Sequence, residues 1–309
     1  MDWKSSVSGF KAYLQLERSL SKNTIEAYLH DVERLEAFSN EKLDSKSPVN
    51  ITYDDLEEYL AWLHDFNLKD YSRARMLSGL KAFFKYLLME DMIKDDPSEL
   101  LEGPKLRRKI PDVLSYEEIE EMLSAIDLSH PQGHRDRSIL ETIYACGLRV
   151  SELTNLKLSN YYPDLGVIKV IGKGNKERII PIGESAIKHI QIYMDGTRRH
   201  MKKIDKDHTN YIYLNRRGKK LSRVMVFNII KKAVSNAGIK KNVSPHTLRH
   251  SFATHMIERG ADLKAVQDML GHESITTTEI YTHLDTDFLR KTVMKYHPAY
   301  RRGKKHESS

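Results

Sequence analysis

The sequence predicts a mainly α-helical protein with a small antiparallel sheet, an α+β chain in two domains. Three observations lead there. Residues 1–104 carry four apolar runs at helical spacing and no alternating pattern that would make a strand. A stretch rich in proline, glycine and basic residues then interrupts the chain between Pro97 and Pro111. Beyond it, one pair of alternating apolar segments around a glycine-rich turn stands among further helical runs. The length of 309 residues is enough for two cores, since domains commonly run to about 100–200 residues.

In the first domain, residues 1–104, Phe10, Tyr13, Leu14 and Leu16 mark one helix. Ser21 and Asn23 offer N-caps to a second, in which Ile25, Tyr28, Leu29, Val32 and Leu35 keep helical spacing. Thr52 and Asp55 have the spacing of a capping box ahead of Leu56, Tyr59, Leu60 and Leu63. In the long fourth run Leu77, Leu80, Phe84, Leu87 and Leu88 are expected to face inward, with Arg73, Lys81 and Lys85 sharing the other side. A basic helix face of this kind is either simply solvated or a surface for a polyanion. Together the four runs make a small helical bundle.

Residues 105–111 are the boundary. Pro97, Gly103, Pro104 and Pro111 break regular structure, while Lys105, Arg107, Arg108 and Lys109 make a positive linker, solvated or laid along phosphates. The second domain, 112–309, opens with Ser115 and Glu118 at capping-box spacing before Ile119, Met122 and Leu123. Ser138 to Tyr144 reads as a helix stopped by Gly147, and Leu148 to Leu153 begins another. Val167–Ile171 and Glu177–Pro181 flank Gly172-Lys173-Gly174-Asn175 as a β-hairpin. The turn is not a P-loop, because it lacks the Gly-Lys-Ser/Thr ending and leads into a strand. Helices resume near Ala186 and Val224. His246 and Arg249, three apart, are expected on one helix face, anchored by Phe252, Met256 and Ile257. Leu263, Val266, Met269 and Leu270 form another amphipathic run, stopped by Gly271, so that His272 stands at an element end with Tyr281 nine residues on.

The formal charge of +7 and a pI near 9.1 suggest a polyanionic partner, but the charge is unevenly distributed. Residues 1–104 hold 13 Lys+Arg against 20 Asp+Glu, and the remainder 37 against 23. The positive field therefore belongs to the C-terminal two-thirds, and any polyanion contact by the first domain must use a local basic face. No apolar run approaches the roughly 18–20 residues that span a membrane, and the N-terminus lacks a signal peptide's apolar segment. The single cysteine, Cys146, excludes an internal disulfide and fits a reducing compartment, so a cytoplasmic location without membrane attachment is expected. Set in Tyr144-Ala145-Cys146-Gly147-Leu148, it reads as a small core residue.

Several pieces, in this order, resemble the tyrosine recombinase (λ-integrase-like) family, most closely its bacterial Xer branch. They are Gly147-Leu148-Arg149-Val150-Ser151-Glu152-Leu153, the hairpin Gly172-Lys173-Gly174-Asn175-Lys176-Glu177-Arg178, His246-Thr247-Leu248-Arg249-His250, Leu270-Gly271-His272 and Tyr281-Thr282-His283. The resemblance extends to the N-terminal helices and to His297-Pro298. It departs at Ala299-Tyr300, where the branch often has Arg-Ala. It implies an N-terminal helical core-DNA-binding domain at 1–104 and a DNA breaking-rejoining catalytic domain at 112–309 that ends in a C-terminal exchange segment. By the same resemblance Arg149, Lys173, His246, Arg249 and His272 surround the scissile phosphate, Tyr281 is the nucleophile, and Glu152 supports the first arginine. DNA contacts of the first domain and linker fall to Arg73, Lys81, Lys85, Lys105, Arg107, Arg108 and Lys109.

The residue types suit that chemistry. Attack on a phosphodiester concentrates negative charge on the non-bridging oxygens, which two guanidiniums, Arg149 and Arg249, can grip with charge-assisted forks. A tyrosine of ordinary pKa, about 10, is almost wholly phenol at neutral pH, so Tyr281 needs a positive site and a base, for which His246 is the candidate. The departing 5′ oxygen needs a proton, which Lys173 could supply, with Lys176 close enough to be confused with it. The spacing of His246, His250 and His255 does not make a metal site, and no cofactor, metal or ATP is expected. The expected function is site-specific recombination through a 3′-phosphotyrosine intermediate, in chromosome dimer resolution. The alternatives are an integrase or transposase of a mobile element, a type IB topoisomerase-like relaxing enzyme, and a non-catalytic DNA-binding module. Expected partners are duplex DNA carrying a specific recombination site, a homo- or hetero-tetramer on it, a paralogous recombinase and a septal DNA translocase.

Overall fold

A computed structural model describes residues 2–65, 68–104, 112–172, 176–271 and 283–298, with only the backbone at 64–65 and 283–287. Lys105, Arg107, Arg108, Lys109, Lys173, His272 and Tyr281 lie outside the described residues. The chain packs as two units, Met1–Lys109 and Ile110–Ser309. Among the described residues no helix is long and apolar enough to cross a membrane.

The first unit is a bundle of α1 (Trp3–Leu16), α2 (Lys22–Lys42), α3 (Tyr53–Asp65) and α4 (Asp70–Met89). Each start has a local cause. Asp2 caps α1 by accepting the Ser5 N–H, and Ser21 caps α2 through the Thr24 N–H. Thr52 and Asp55 exchange side-chain and backbone bonds at 3.3 and 2.8 Å, the reciprocal box expected of them. Phe10, Phe38, Tyr59, Phe83 and Phe84 fill the centre, with Phe10–Phe83 and Phe38–Tyr59 ring centroids 5.3 Å apart.

Leu16, one of the apolar markers of α1, and Leu88, expected to face inward, are not core. Leu16 is 80% exposed and Leu88 36%. Leu16 lies two residues past Leu14, about 200° round the helix, and Leu88 stands about 100° from the buried Leu87. The basic residues of α4 also differ among themselves: Arg73 pairs with Asp70 at 2.6 Å, Lys81 donates to the Glu99 carbonyl at 3.1 Å, and Lys85 is exposed. Arg75, which the periodicity did not single out, forks onto the fully buried Asp31, with Nη2 to Oδ1 at 2.7 Å. Gly79, one turn further along α4, leaves room for that carboxylate, since a Cβ there would sit 2.8 Å from Asp31 Oδ2.

The second unit is built round α6 (Gly133–Cys146), preceded by α5 (Tyr116–Ser124), which starts at the expected Ser115–Glu118 capping box. Helix α6 is buried on nearly every side, so its polar side chains must find partners inside. Ser138 and Thr142 both bond to the Tyr213 hydroxyl, at 2.9 and 2.8 Å, and Arg135 donates to the Leu214 carbonyl at 3.2 Å. Cys146 is buried at its end, where burial pushes the thiol pKa up. Gly147, at φ +58°, stops the helix as expected, and the next helix, α7 (Val150–Thr154), starts only after Arg149 as its N-cap.

The hairpin forms as β2 (Val167–Ile171) and β3 (Glu177–Pro181), with Val170 opposite Arg178 and Ile168 opposite Ile180. A two-residue strand, β1 (Tyr161–Tyr162), adds to β2 and makes the antiparallel order β1-β2-β3. Helices α8 (Glu184–Tyr193), α9 (Arg223–Asn236), α10 (Pro245–Glu258), α11 (Leu263–Leu270) and α12 (His283–Tyr296) complete the unit.

Arg75→Ala would leave the Asp31 carboxyl without its fork in a place where burial already holds its pKa above the usual carboxylate value. The expected loss is about 1–3 kcal/mol from the first unit, the penalty of stranding one buried polar group. Urea unfolding followed by Trp3 and Trp62 fluorescence measures it.

Candidate active site

Three arginines from three elements meet at one carboxylate. Glu152, on α7, is almost fully buried. Its Oε1 accepts from Arg149 Nη1 and from Arg178 Nη1, both at 2.8 Å. Its Oε2 accepts the Arg149 backbone N–H at 2.8 Å and Arg178 Nη2 at 2.9 Å, with Arg249 Nη1 3.9 Å away. The short helix α7 makes this possible, because a glutamate three residues into a helix reaches back to its cap.

The other half of the cluster is main chain. Helix α11 ends at Gly271 in the left-handed region, φ +63°, which leaves its last carbonyls without helical partners. Three consecutive carbonyls each take a different arginine. Met269 accepts Arg178 Nε at 2.9 Å, Leu270 accepts Arg249 Nη2, and Gly271 accepts Arg149 Nη2 at 3.0 Å. The Gly147 carbonyl, just past the end of α6, accepts Arg249 Nη1 at 2.7 Å. A helix C-terminus carries partial negative charge, so cations are favoured there.

Burial grades the three guanidiniums. The Arg149 side chain is 32% exposed, against 9% for Arg249 and 6% for Arg178. Burial, followed by the charge of Arg149, pushes Arg249 down to about 10, so it stays a cation at neutral pH. Burial alone would raise the Glu152 carboxyl, but the bonds and charge of Arg178 and the bonds from Arg149 outweigh it and hold Glu152 below the usual carboxylate range. Three guanidiniums against one carboxylate leave the cluster with a net positive charge.

Of the sequence-predicted site residues, Arg149, Glu152 and Arg249 come together. His246 lies on the same helix as Arg249 but does not share its burial: His246 and His250, four apart, form an exposed stripe, and Arg249 turns inward. A three-residue step leaves about 60° between side chains, enough to set His246 and Arg249 on opposite sides of the edge of a buried face. Ile257, expected in the apolar stripe with the buried Phe252 and Met256, is 43% exposed. His255 is buried against Tyr144, with Nδ1 2.9 Å from its hydroxyl. Among the described residues, no group of three or more His, Cys, Asp or Glu could hold a metal ion.

Arg178 was not among the sequence candidates. The signal for it was strand alternation, since Arg178 and Ile180 share the inward face of β3, and a charged residue on a buried strand face requires a partner.

A positively charged cluster of guanidiniums in a helical domain with one small sheet has the chemistry that suits a phosphate-like oxyanion. The chain belongs to the phage integrase family, whose pattern matches residues 112–287, and the family's N-terminal SAM-like domain matches residues 7–91. It is 41% identical to the tyrosine recombinase XerD of Staphylococcus saprophyticus over 295 residues, 94% of this chain and 98% of that one. It is 42% identical to the XerD of Chlorobaculum tepidum over 299 residues, 96% and 97% of the two chains. Among solved structures, the XerH site-specific recombinase bound to difH substrate in a pre-cleavage complex matches with TM-score 0.65 at 25% identity, over 92% of this chain and 83% of that chain. A lambda integrase dimer bound to a COC′ core site shares the fold, with TM-score 0.68 at 20% identity, over 91% and 99%. Within the family the chain stands on the Xer branch of the tyrosine recombinases, site-specific enzymes that break and rejoin DNA.

The depressed pKa of Glu152 sets a pH window. Its contribution to stability is present above the unfolded carboxylate value, about 4.3, and is lost as pH falls through the lower folded value. Between about pH 5 and about pH 8 neither Glu152, held below the carboxylate range, nor Arg249, at about 10, should change charge. Thermal midpoints of the wild type and Glu152→Gln, compared from acid to neutral pH, should differ by a constant amount at neutral pH and converge in acid.

Proposed function

We propose that the chain cuts and rejoins duplex DNA at a specific recombination site through a covalent 3′-phosphotyrosine intermediate, with Tyr281 as nucleophile. The observation that carries this reading is the positive cage of Arg149 and Arg249, held from behind by Glu152 and main-chain carbonyls. In the proposed reaction the two guanidiniums bind the non-bridging oxygens and stabilise the charge that builds there as the phenol oxygen attacks phosphorus. The Tyr281 proton leaves with help from His246, whose exposed ring stands at the start of α10. Lys173 protonates the departing 5′ oxygen, and His272 completes the set round the phosphate. The ester keeps the energy of the broken bond, so attack by a 5′ hydroxyl reseals the strand without ATP or metal.

The biological role we assign is chromosome dimer resolution. The chain would act as a tetramer on two sites, paired with a paralogous recombinase and working under a septal DNA translocase. Relatives named XerD that match nearly end to end support this over a mobile-element enzyme or a relaxing enzyme. Residues 1–104 would be the DNA-binding domain, with Arg73, Lys81 and Lys85 toward the duplex. The linker residues Lys105, Arg107, Arg108 and Lys109 would follow its phosphates, ahead of a catalytic domain at 112–309 whose end is exchanged between protomers.

A nicked suicide duplex carrying the site should trap a denaturation-resistant protein–DNA adduct. Tyr281→Phe abolishes it and leaves duplex affinity unchanged within about threefold, because only a transition-state group is lost. Adduct formed by the Phe variant moves the nucleophile elsewhere. Arg149→Ala or Arg249→Ala should slow single-turnover cleavage by roughly 10²–10³. Affinity for the duplex should fall by roughly 10³ or more between about 50 and about 200 mM salt, as expected for a protein covering six or more phosphates. An affinity indifferent to salt contradicts the DNA-binding surface assigned here.

A further inference from the structure

Arg178 is the least exposed of the three guanidiniums, and its bonds to the described residues all run inside the protein. Nη1 and Nη2 hold the two oxygens of Glu152 at 2.8 and 2.9 Å, and Nε holds the Met269 carbonyl at 2.9 Å. With Nε, Nη1 and Nη2 all engaged, Arg178 has no nitrogen left over for a substrate phosphate, whereas Arg249, nearly as buried, is bonded through Nη1 and Nη2 and not Nε among the described residues. Arg178 touches instead the carboxylate that orients Arg149. Both oxygens of Glu152 are shared between Arg178 and Arg149: Oε1 takes an Nη1 from each, and Oε2 takes Arg178 Nη2 and the Arg149 backbone N–H.

A carboxylate prefers a guanidinium fork in two parallel bonds. Arg178 occupies that preference. Arg149 is then left with one nitrogen on Glu152 and one on the Gly271 carbonyl, and keeps a third of its side chain exposed. Without Arg178 the buried carboxylate can turn and take Arg149 as its forked partner, drawing that guanidinium inward. The slot for Arg178 is fitted to a flat group. A Cβ at Gly172 would lie 3.3 Å from its Nη1, and one at Gly271 3.1 Å from it.

The geometry points to Arg178 as a positioning residue for cleavage: it saturates Glu152 so that Arg149 is presented to the scissile phosphate, and it does not itself touch DNA. This rests on the reading that Arg149 grips the phosphate. Lysine cannot replace it, because a single ammonium keeps the charge and loses both the fork and the bond to Met269.

The test uses the full chain and two suicide duplexes, one with an ordinary scissile phosphate and one with a methylphosphonate, in which a neutral methyl replaces a non-bridging oxygen. A variant that lacks a properly placed cation at that oxygen is handicapped less on the neutral substrate, whereas partial unfolding slows both substrates alike. Arg178→Lys should cut the single-turnover rate at saturating DNA by roughly 10² on the phosphate, with affinity held within about threefold, and by roughly 10 or less on the methylphosphonate. Gly172→Ala leaves every charge in place and crowds Arg178 Nη1 most, its other neighbours lying at ordinary contact distance, so it should shift the same ratio in the same direction by less. Arg149→Ala is the reference. If its deficit narrows on the methylphosphonate and that of Arg178→Lys does not, the positioning role is overturned. If the Arg149→Ala deficit is equal on both substrates, the assignment of Arg149 fails, and the role of Arg178 fails with it. A loss of affinity with an unchanged saturated rate also overturns the proposal, since it would make Arg178 a binding residue.

Discussion

One carboxylate shared among cations is the constraint round which the second unit is arranged. Glu152 is buried, and a buried carboxylate is tolerated only where opposite charge and hydrogen bonds replace its lost water. Arg149 and Arg178 supply both, with Arg249 just beyond hydrogen-bond range. The reverse dependence holds as well. Three like charges in one cluster repel, and among the described residues the carboxylate between them and the carbonyls around them keep them together. The local elements follow from that need: a helix of one turn to bring Glu152 back onto its own cap, a strand to carry Arg178 in from the side, and two helix ends to offer carbonyls.

The packing beneath serves the same arrangement. Gly147 at the end of α6 lies against Phe252 of α10, where a Cβ would come within 2.5 Å of the ring, so α6 and the arginine-bearing helix approach as closely as a glycine allows. Leu270 packs at the same place, 3.0 Å from that Cβ position, and its carbonyl takes Arg249. The contact that closes the core is therefore the contact that fixes the guanidinium. A substitution that loosens the one misplaces the other, and a displacement of about 1 Å at a reacting group can cost on the order of 10² in rate.

Much of this was legible from the residues. Helical periodicity gave the bundle and most of the second unit, and alternation gave the hairpin, because both periods follow from which side of an element must be dry. The family resemblance implied that Glu152 supports Arg149, and the ion pair is present. What escaped needed information that spacing does not carry. Leu16 and Leu88 are apolar but sit on the wrong arc of their helices, which only the packed neighbours decide. Asp31 and Arg75, and likewise Glu152 and Arg178, are 44 and 26 residues apart, and no local pattern joins them. His246 and Arg249 were assigned one face by a three-residue step, yet the edge of the buried face falls between them.

The choice of partners for the arginines also explains how a buried cluster can stay positive. Had carboxylates held all three guanidiniums, each would be oriented but neutralised, and the site would have no net attraction for an anion. Carbonyl oxygens orient without neutralising, because a dipole satisfies an N–H while leaving the formal charge intact. Met269, Leu270 and Gly271 do this with three successive carbonyls, and Gly147 with a fourth, so one carboxylate suffices for the whole group. Under the proposed reading, a phosphate arriving at Arg149 would thus meet donors already aimed and a charge not yet spent. The reorganisation that water would have to perform during the reaction is completed when the chain folds.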